Sequence, residues 1–108
     1  MLLTFKPGVK VEKVNARLLT GLGALAIIMG EETGADTIVI TSMNDGVHKE
    51  GSFHYSGRAA DIRSKTFARE AVQNTVDRFK LAWDKDYDLI WESKGLPNEH
   101  LHLEYDPR

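Results

Sequence analysis

The sequence predicts an α+β fold: a small, mainly antiparallel sheet covered by two helices. Three patterns lead there. Two stretches, Asn15 to about Glu32 and Thr66 to about Asp84, carry apolar residues every three or four positions. The segments Thr37–Thr41 and Ala59–Ile62 are short and β-branched or apolar, as buried strands are. Two further runs near the C-terminus, Tyr87–Glu92 and His100–Tyr105, flank a turn containing Gly95 and Pro97 and read as a hairpin. The resulting order is helix, strand, loop, strand, helix, hairpin.

Each element has its own reason. Leu18, Leu22, Leu25 and Met29 form the apolar stripe of the first helix, and Gly34 is placed to stop it. Met43 to Phe53 is polar and glycine-containing, and a loop that long in a compact domain is often functional. Gly57 marks a turn before the second strand. Thr66 is placed to cap the second helix, whose stripe is Phe67, Ala71, Val72, Val76, Phe79 and Trp83. Trp83 and Trp91 both fall on apolar-patterned elements and are expected in the core.

Composition bounds the function. The chain has 108 residues, enough for one domain spanning residues 1–108 and too few for two. A formal net charge of -2 gives no general attraction to nucleic acid or anionic membranes. The apolar stretch from Leu22 to Met29 is far short of the ~20 residues that cross a bilayer. With no cysteine, thiolate zinc sites and disulfides are excluded, so a metal site would need His, Asp and Glu.

The last strand is the clearest chemical signal. Side chains alternate across a strand, so Leu101, Leu103 and Tyr105 face the helices while His100, His102 and Glu104 face the other way. Taken alone, the two imidazoles read equally as a solvated sheet face. Asp61 lies between Ala60 and Ile62, where a carboxylate is costly unless paired or bound to a cation. A salt bridge to Arg58 or Arg63 would satisfy it, and His54 alone would pass for a hydrogen-bonded loop residue. Together they say more: three of the four histidines and this acid lie in two short segments that a sheet can bring together. Two His and one Asp with a fourth position open is the ligand set of a catalytic zinc site.

The motifs Ser52-x-His54-x-x-Gly57-x-Ala59-x-Asp61 and Glu99-His100-Leu101-His102 resemble the two signatures of the M15 zinc peptidases. These are the D-Ala-D-Ala carboxypeptidases and the phage L-alanyl-D-glutamate endopeptidases. The resemblance covers roughly Thr37 to Tyr105 and implies the fold these enzymes share with the hedgehog signalling domain. It implies Zn2+ held by His54, Asp61 and His102, with Glu99 as acid/base and His100 assisting beside the metal. Ser52 and Gly57 would support the ligand loop, Gly57 by letting the backbone approach the metal. Glu104 is placed to orient an imidazole.

Many members of that family also carry an arginine just after the strand preceding the first motif. Here Thr41-Ser-Met-Asn-Asp45 has none, and Arg58, Lys49 and His48 are the candidates to replace it. The function implied is hydrolysis of peptide bonds in peptidoglycan stem peptides through a metal-activated water, by a monomer. The alternative is a non-enzymatic zinc module with a binding or assembly role. Met1 to Val11 shows no secretory signal, so the expectation is a cytoplasmic product of the kind a phage or prophage releases to the cell wall.

Overall fold

The computed structural model describes residues 2–43, 57–83 and 85–107. Five strands, β1 (Leu2–Phe5), β2 (Thr37–Ser42), β3 (Ala59–Arg63), β4 (Tyr87–Glu92) and β5 (His100–Tyr105), form one sheet in the order β1-β2-β3-β5-β4. β1 runs parallel to β2, and every other pairing is antiparallel. Helices α1 (Ala16–Thr33) and α2 (Arg69–Trp83) pack on each other and on one face of this sheet. The expected α+β architecture is therefore present.

Helix α1 begins where the sequence allows a cap. The Asn15 side chain accepts from the Arg17 N–H at 2.8 Å, satisfying a donor that the first turn leaves unpaired. It ends at Gly34, in the left-handed region at φ 75°, whose N–H donates to the Gly30 carbonyl. Its stripe of Leu18, Leu22, Leu25, Ala26 and Met29 is buried against Ile38, Ile40, Ile62, Leu101 and Leu103 from the sheet. Gly21 makes room for Tyr87: a Cβ there would lie 2.3 Å from its ring.

Helix α2 starts later than the sequence suggests. The first helical bond runs from the Val72 N–H to the Ala68 carbonyl, so Thr66 is not the cap. It sits instead in a turn closed by the Phe67 N–H donating to the Ser64 carbonyl. Val72, Thr75, Val76 and Phe79 are the buried face. Trp83 lies at the rim, 36% exposed, with its ring stacked on Phe79. Trp91 packs against the core as expected.

Strand β1 has no counterpart in the sequence reading. Its four residues are all exposed, so no buried stripe announces it, and it exists by parallel pairing with the edge of β2. Among the described residues, no helix is long and apolar enough to cross a membrane.

Candidate metal centre

The register of three neighbouring strands assembles the site. β3 and β5 pair so that Asp61 lies opposite His102 and Arg63 opposite His100. β5 and β4 pair so that His100 lies opposite Glu92 and His102 opposite Ile90. Asp61, His100, His102 and Glu92 therefore share the sheet face away from the helices, as strand alternation requires. One donor atom from each of the four lies within 4.8 Å of all the others.

The ring nitrogens are aimed. His102 is 8% exposed; its Nδ1 lies 2.8 Å from Asp61 Oδ1 and its Nε2 lies 2.8 Å from Glu104 Oε1. Burial lowers the proton affinity of this imidazole. The carboxylates of Asp61 and Glu104, one on each nitrogen, with Glu92 nearby, outweigh that and raise its pKa to about 9. Without metal, His102 is thus an imidazolium donating from both nitrogens. His100 Nδ1 lies 2.9 Å from the Asn98 carbonyl, an acceptor only. Its Nε2 faces Glu92 Oε1 at 3.0 Å and Asp61 Oδ1 at 3.6 Å.

This arrangement could hold a metal ion. Each imidazole presents one nitrogen to the cluster while an acceptor holds the other, which fixes ring orientation in metal sites. Donor atoms of a tetrahedral zinc centre would sit roughly 3.4 Å apart, given bonds of ~2.1 Å. The contacts here, 2.8 Å for Asp61 to His102 and 3.6 Å for Asp61 to His100 and for Glu92 to His102, bracket that spacing. Small side-chain shifts and loss of the His102 proton would admit the ion.

The other residues singled out from the sequence fall in different places. His54, Ser52, Lys49 and His48 lie outside the described residues. Arg58 directly precedes β3, and its carbonyl accepts the Tyr105 N–H. Gly57 has a left-handed φ of 72°. A Cβ there would lie 2.2 Å from the Lys13 carbonyl oxygen, so its tight neighbour is the chain entering α1.

Glu99 stands apart from the donor cluster. It precedes β5 in the turn where its N–H donates to the Leu96 carbonyl, and it is 4% exposed. Its carboxylate accepts from Ser64 Oγ at 2.7 Å, from the Gly95 N–H at 2.9 Å and from the Arg69 guanidinium. Burial alone would raise its pKa, but these donors overcome it and bring the value down to about 2. Arg69 is itself placed over the Trp91 ring, 4.7 Å from its centroid, with Lys94 at 4.2 Å.

Sequence reasoning missed Glu92. The signal was available: the parity that turns His100 and His102 away from the helices does the same for Glu92 once the hairpin register is set. No protein-family model matches the chain, and a search of curated proteins returns no significant match.

Proposed function

We propose that this protein is a zinc-dependent peptidase acting on the stem peptides of peptidoglycan. The observation that carries the reading is the convergence of Asp61 and His102 from adjacent strands, with Glu104 holding the far side of the His102 ring. Asp61 and His102 would hold Zn2+ together with His54. The choice of peptide substrate rests on the two sequence motifs. Bound zinc supplies a Lewis acid and a water nucleophilic at neutral pH.

The chain's own residues supply the proton transfers. The resemblance assigns acid/base work to Glu99, but its carboxylate is engaged by Ser64, the Gly95 N–H and Arg69 and is not one of the clustered donors. Glu92 is better placed: it is partly exposed, with Oε1 3.0 Å from His100 Nε2 and 3.6 Å from His102 Nδ1. It takes the proton of an attacking water and returns it to the leaving amine. His100 stands beside it as a donor for charge developing on the carbonyl oxygen. Glu99 keeps the turn before β5 in register and so holds both histidines in line.

A second reading has its own support. Asp61, Glu92, His100 and His102 amount to four donors without His54, enough to fill a tetrahedral site and leave no place for water. That would make the protein a non-enzymatic zinc module. The deciding experiment incubates zinc-loaded protein with purified peptidoglycan and measures released amines, for wild type, His54→Ala and Glu92→Gln. The peptidase reading expects chelator-sensitive release, abolished by both substitutions, with zinc lost only in His54→Ala. Zinc retained in His54→Ala and no release by wild type would establish the closed site instead.

A further inference from the structure

Strand β1 lies at one edge of the sheet, and its bonds to β2 show which of its backbone groups face outward. The N–H groups of Leu2 and Lys6 donate inward, to the Asp36 carbonyl at 2.8 Å and the Ile40 carbonyl at 2.9 Å. Backbone groups of alternate residues point to opposite sides of a strand, so those of Leu3 and Phe5 point away from β2. We propose that this edge is a self-association surface: β1 of a second copy of the chain pairs with it, antiparallel, across a two-fold axis normal to the sheet. The dimer replaces the monomer that the family resemblance implies, and it does not rest on the peptidase reading.

The register follows from the backbone. Residues directly opposite in an antiparallel ladder share a face, and an outward-pointing pair exchanges both N–H···O bonds. Leu3 opposite Phe5 of the second copy meets both conditions, and symmetry supplies that pair twice. Thr4 then sits on the axis, facing its own counterpart.

The residues of β1 favour pairing. Edge strands that stay free are defended by charge, proline or a bulge. Leu2–Phe5 holds no charge and no proline, and Leu2, Leu3 and Phe5 are 67%, 38% and 43% exposed. Leu3 and Phe5 lie beside Ile38 and Ile40 of the core, so they share the helix side of the sheet. Among the described residues that cover thins out before them: α1 packs on β5, β2 and β3, and α2 on β4. In the dimer they form aromatic–aliphatic cross-strand contacts instead of meeting water. The other edge is different, because β4 carries Asp88 and Glu92, and like charges oppose its pairing with itself.

Charge selects the antiparallel arrangement. Lys6 follows β1 at one end, while Asp36 precedes β2 at the other, beside Leu2. Reversal sets Lys6 of each copy opposite Leu2 of the other, two strand spacings or roughly 10 Å from Asp36. A lysine and an aspartate side chain together span that distance. A parallel pairing would align lysine with lysine instead. Strands this short make a small interface, so the dimer is concentration-dependent. Its axis also leaves both donor clusters on one side of a continuous sheet.

The test is sedimentation equilibrium of the full chain over a concentration series, with oxidative cross-linking of Thr4→Cys in parallel. The protein has no cysteine of its own, so a disulfide reports the axis. Opposed residues of a non-hydrogen-bonded pair have Cα atoms ~4.5 Å apart, within the span of a disulfide. Thr4→Cys is expected to form a covalent dimer. Leu2→Cys should form none, since its two copies lie roughly 13 Å apart along the ladder. The double variant Leu3→Lys, Phe5→Lys should weaken self-association by about tenfold or more with an unchanged far-UV spectrum. Mixed with Leu3→Glu, Phe5→Glu it should regain the dimer, because each lysine then faces a glutamate. If the lysine variant fails to fold, the two cysteine variants decide alone. A monomer at every concentration up to about 1 mM overturns the proposal. So does a dimer that survives the lysine variant, an open-ended assembly, or cross-linking of Leu2→Cys equal to that of Thr4→Cys.

Discussion

Gly57 shows how much can hang on one missing methyl group. Its φ of 72° and the Lys13 carbonyl, 2.2 Å from any added Cβ, both forbid a side chain. Gly57→Ala should therefore cost about 2 kcal/mol or more in a denaturant titration. A cost below about 0.5 kcal/mol would show that the approach to Lys13 is not tight. Glu99 is tied to pH. Its folded pKa of about 2 lies below the ordinary 4.5, so the stability it confers is complete above 4.5. That contribution disappears as pH falls from 4.5 through about 2. Glu99→Gln should lower the melting temperature at pH 7 and flatten its decline across that acid window, as calorimetry would report. For His102 the sign is opposite. Its pKa is raised from 6.5 to about 9, so the metal-free fold has this contribution in full below 6.5 and loses it as pH climbs through 9. Zinc must displace that proton, so its affinity should rise about tenfold per pH unit from 7 to 9 in competition with a chromophoric chelator. An affinity flat across that range would mean that His102 is not a ligand.

At the scale of elements, the hairpin was the most legible part of the chain. Strict alternation in His100–Tyr105 and a turn rich in Gly and Pro were enough to fix its strands and to set two histidines on one face. The register across β3, which places Asp61 opposite His102, was not legible, because pairing between distant segments leaves no local trace. β1 escaped for a related reason: an exposed edge strand carries no alternation to detect. Thr66 misled because a good capping residue also serves in a turn, and the Ser64 carbonyl claims the chain there first. In the candidate site, Asp61, His100 and His102 were legible and Glu92 was not. Glu92 sits at a strand end among apolar residues, where one acid usually means only an exposed edge. Phe79 is fully buried where α2 meets Tyr87 of β4, in edge contact with its ring. Phe79→Ala should cost about 3–5 kcal/mol by chemical denaturation while leaving zinc stoichiometry intact wherever the protein remains folded.

Over the whole molecule, the division of labour is between the two faces of one sheet. The helix-covered face supplies stability through Leu18, Leu22, Met29, Ile62, Leu101 and Leu103, and the opposite face gathers Asp61, Glu92, His100 and His102 into a group that could hold a metal ion. The measurement that most directly tests this account is the zinc content of protein purified without a histidine tag, for wild type, Asp61→Asn, His102→Ala and Glu99→Gln. The account predicts about one zinc per chain in wild type and in Glu99→Gln, and close to none in Asp61→Asn and His102→Ala. Wild-type protein that binds no zinc, or Asp61→Asn and His102→Ala variants that keep it, would contradict it.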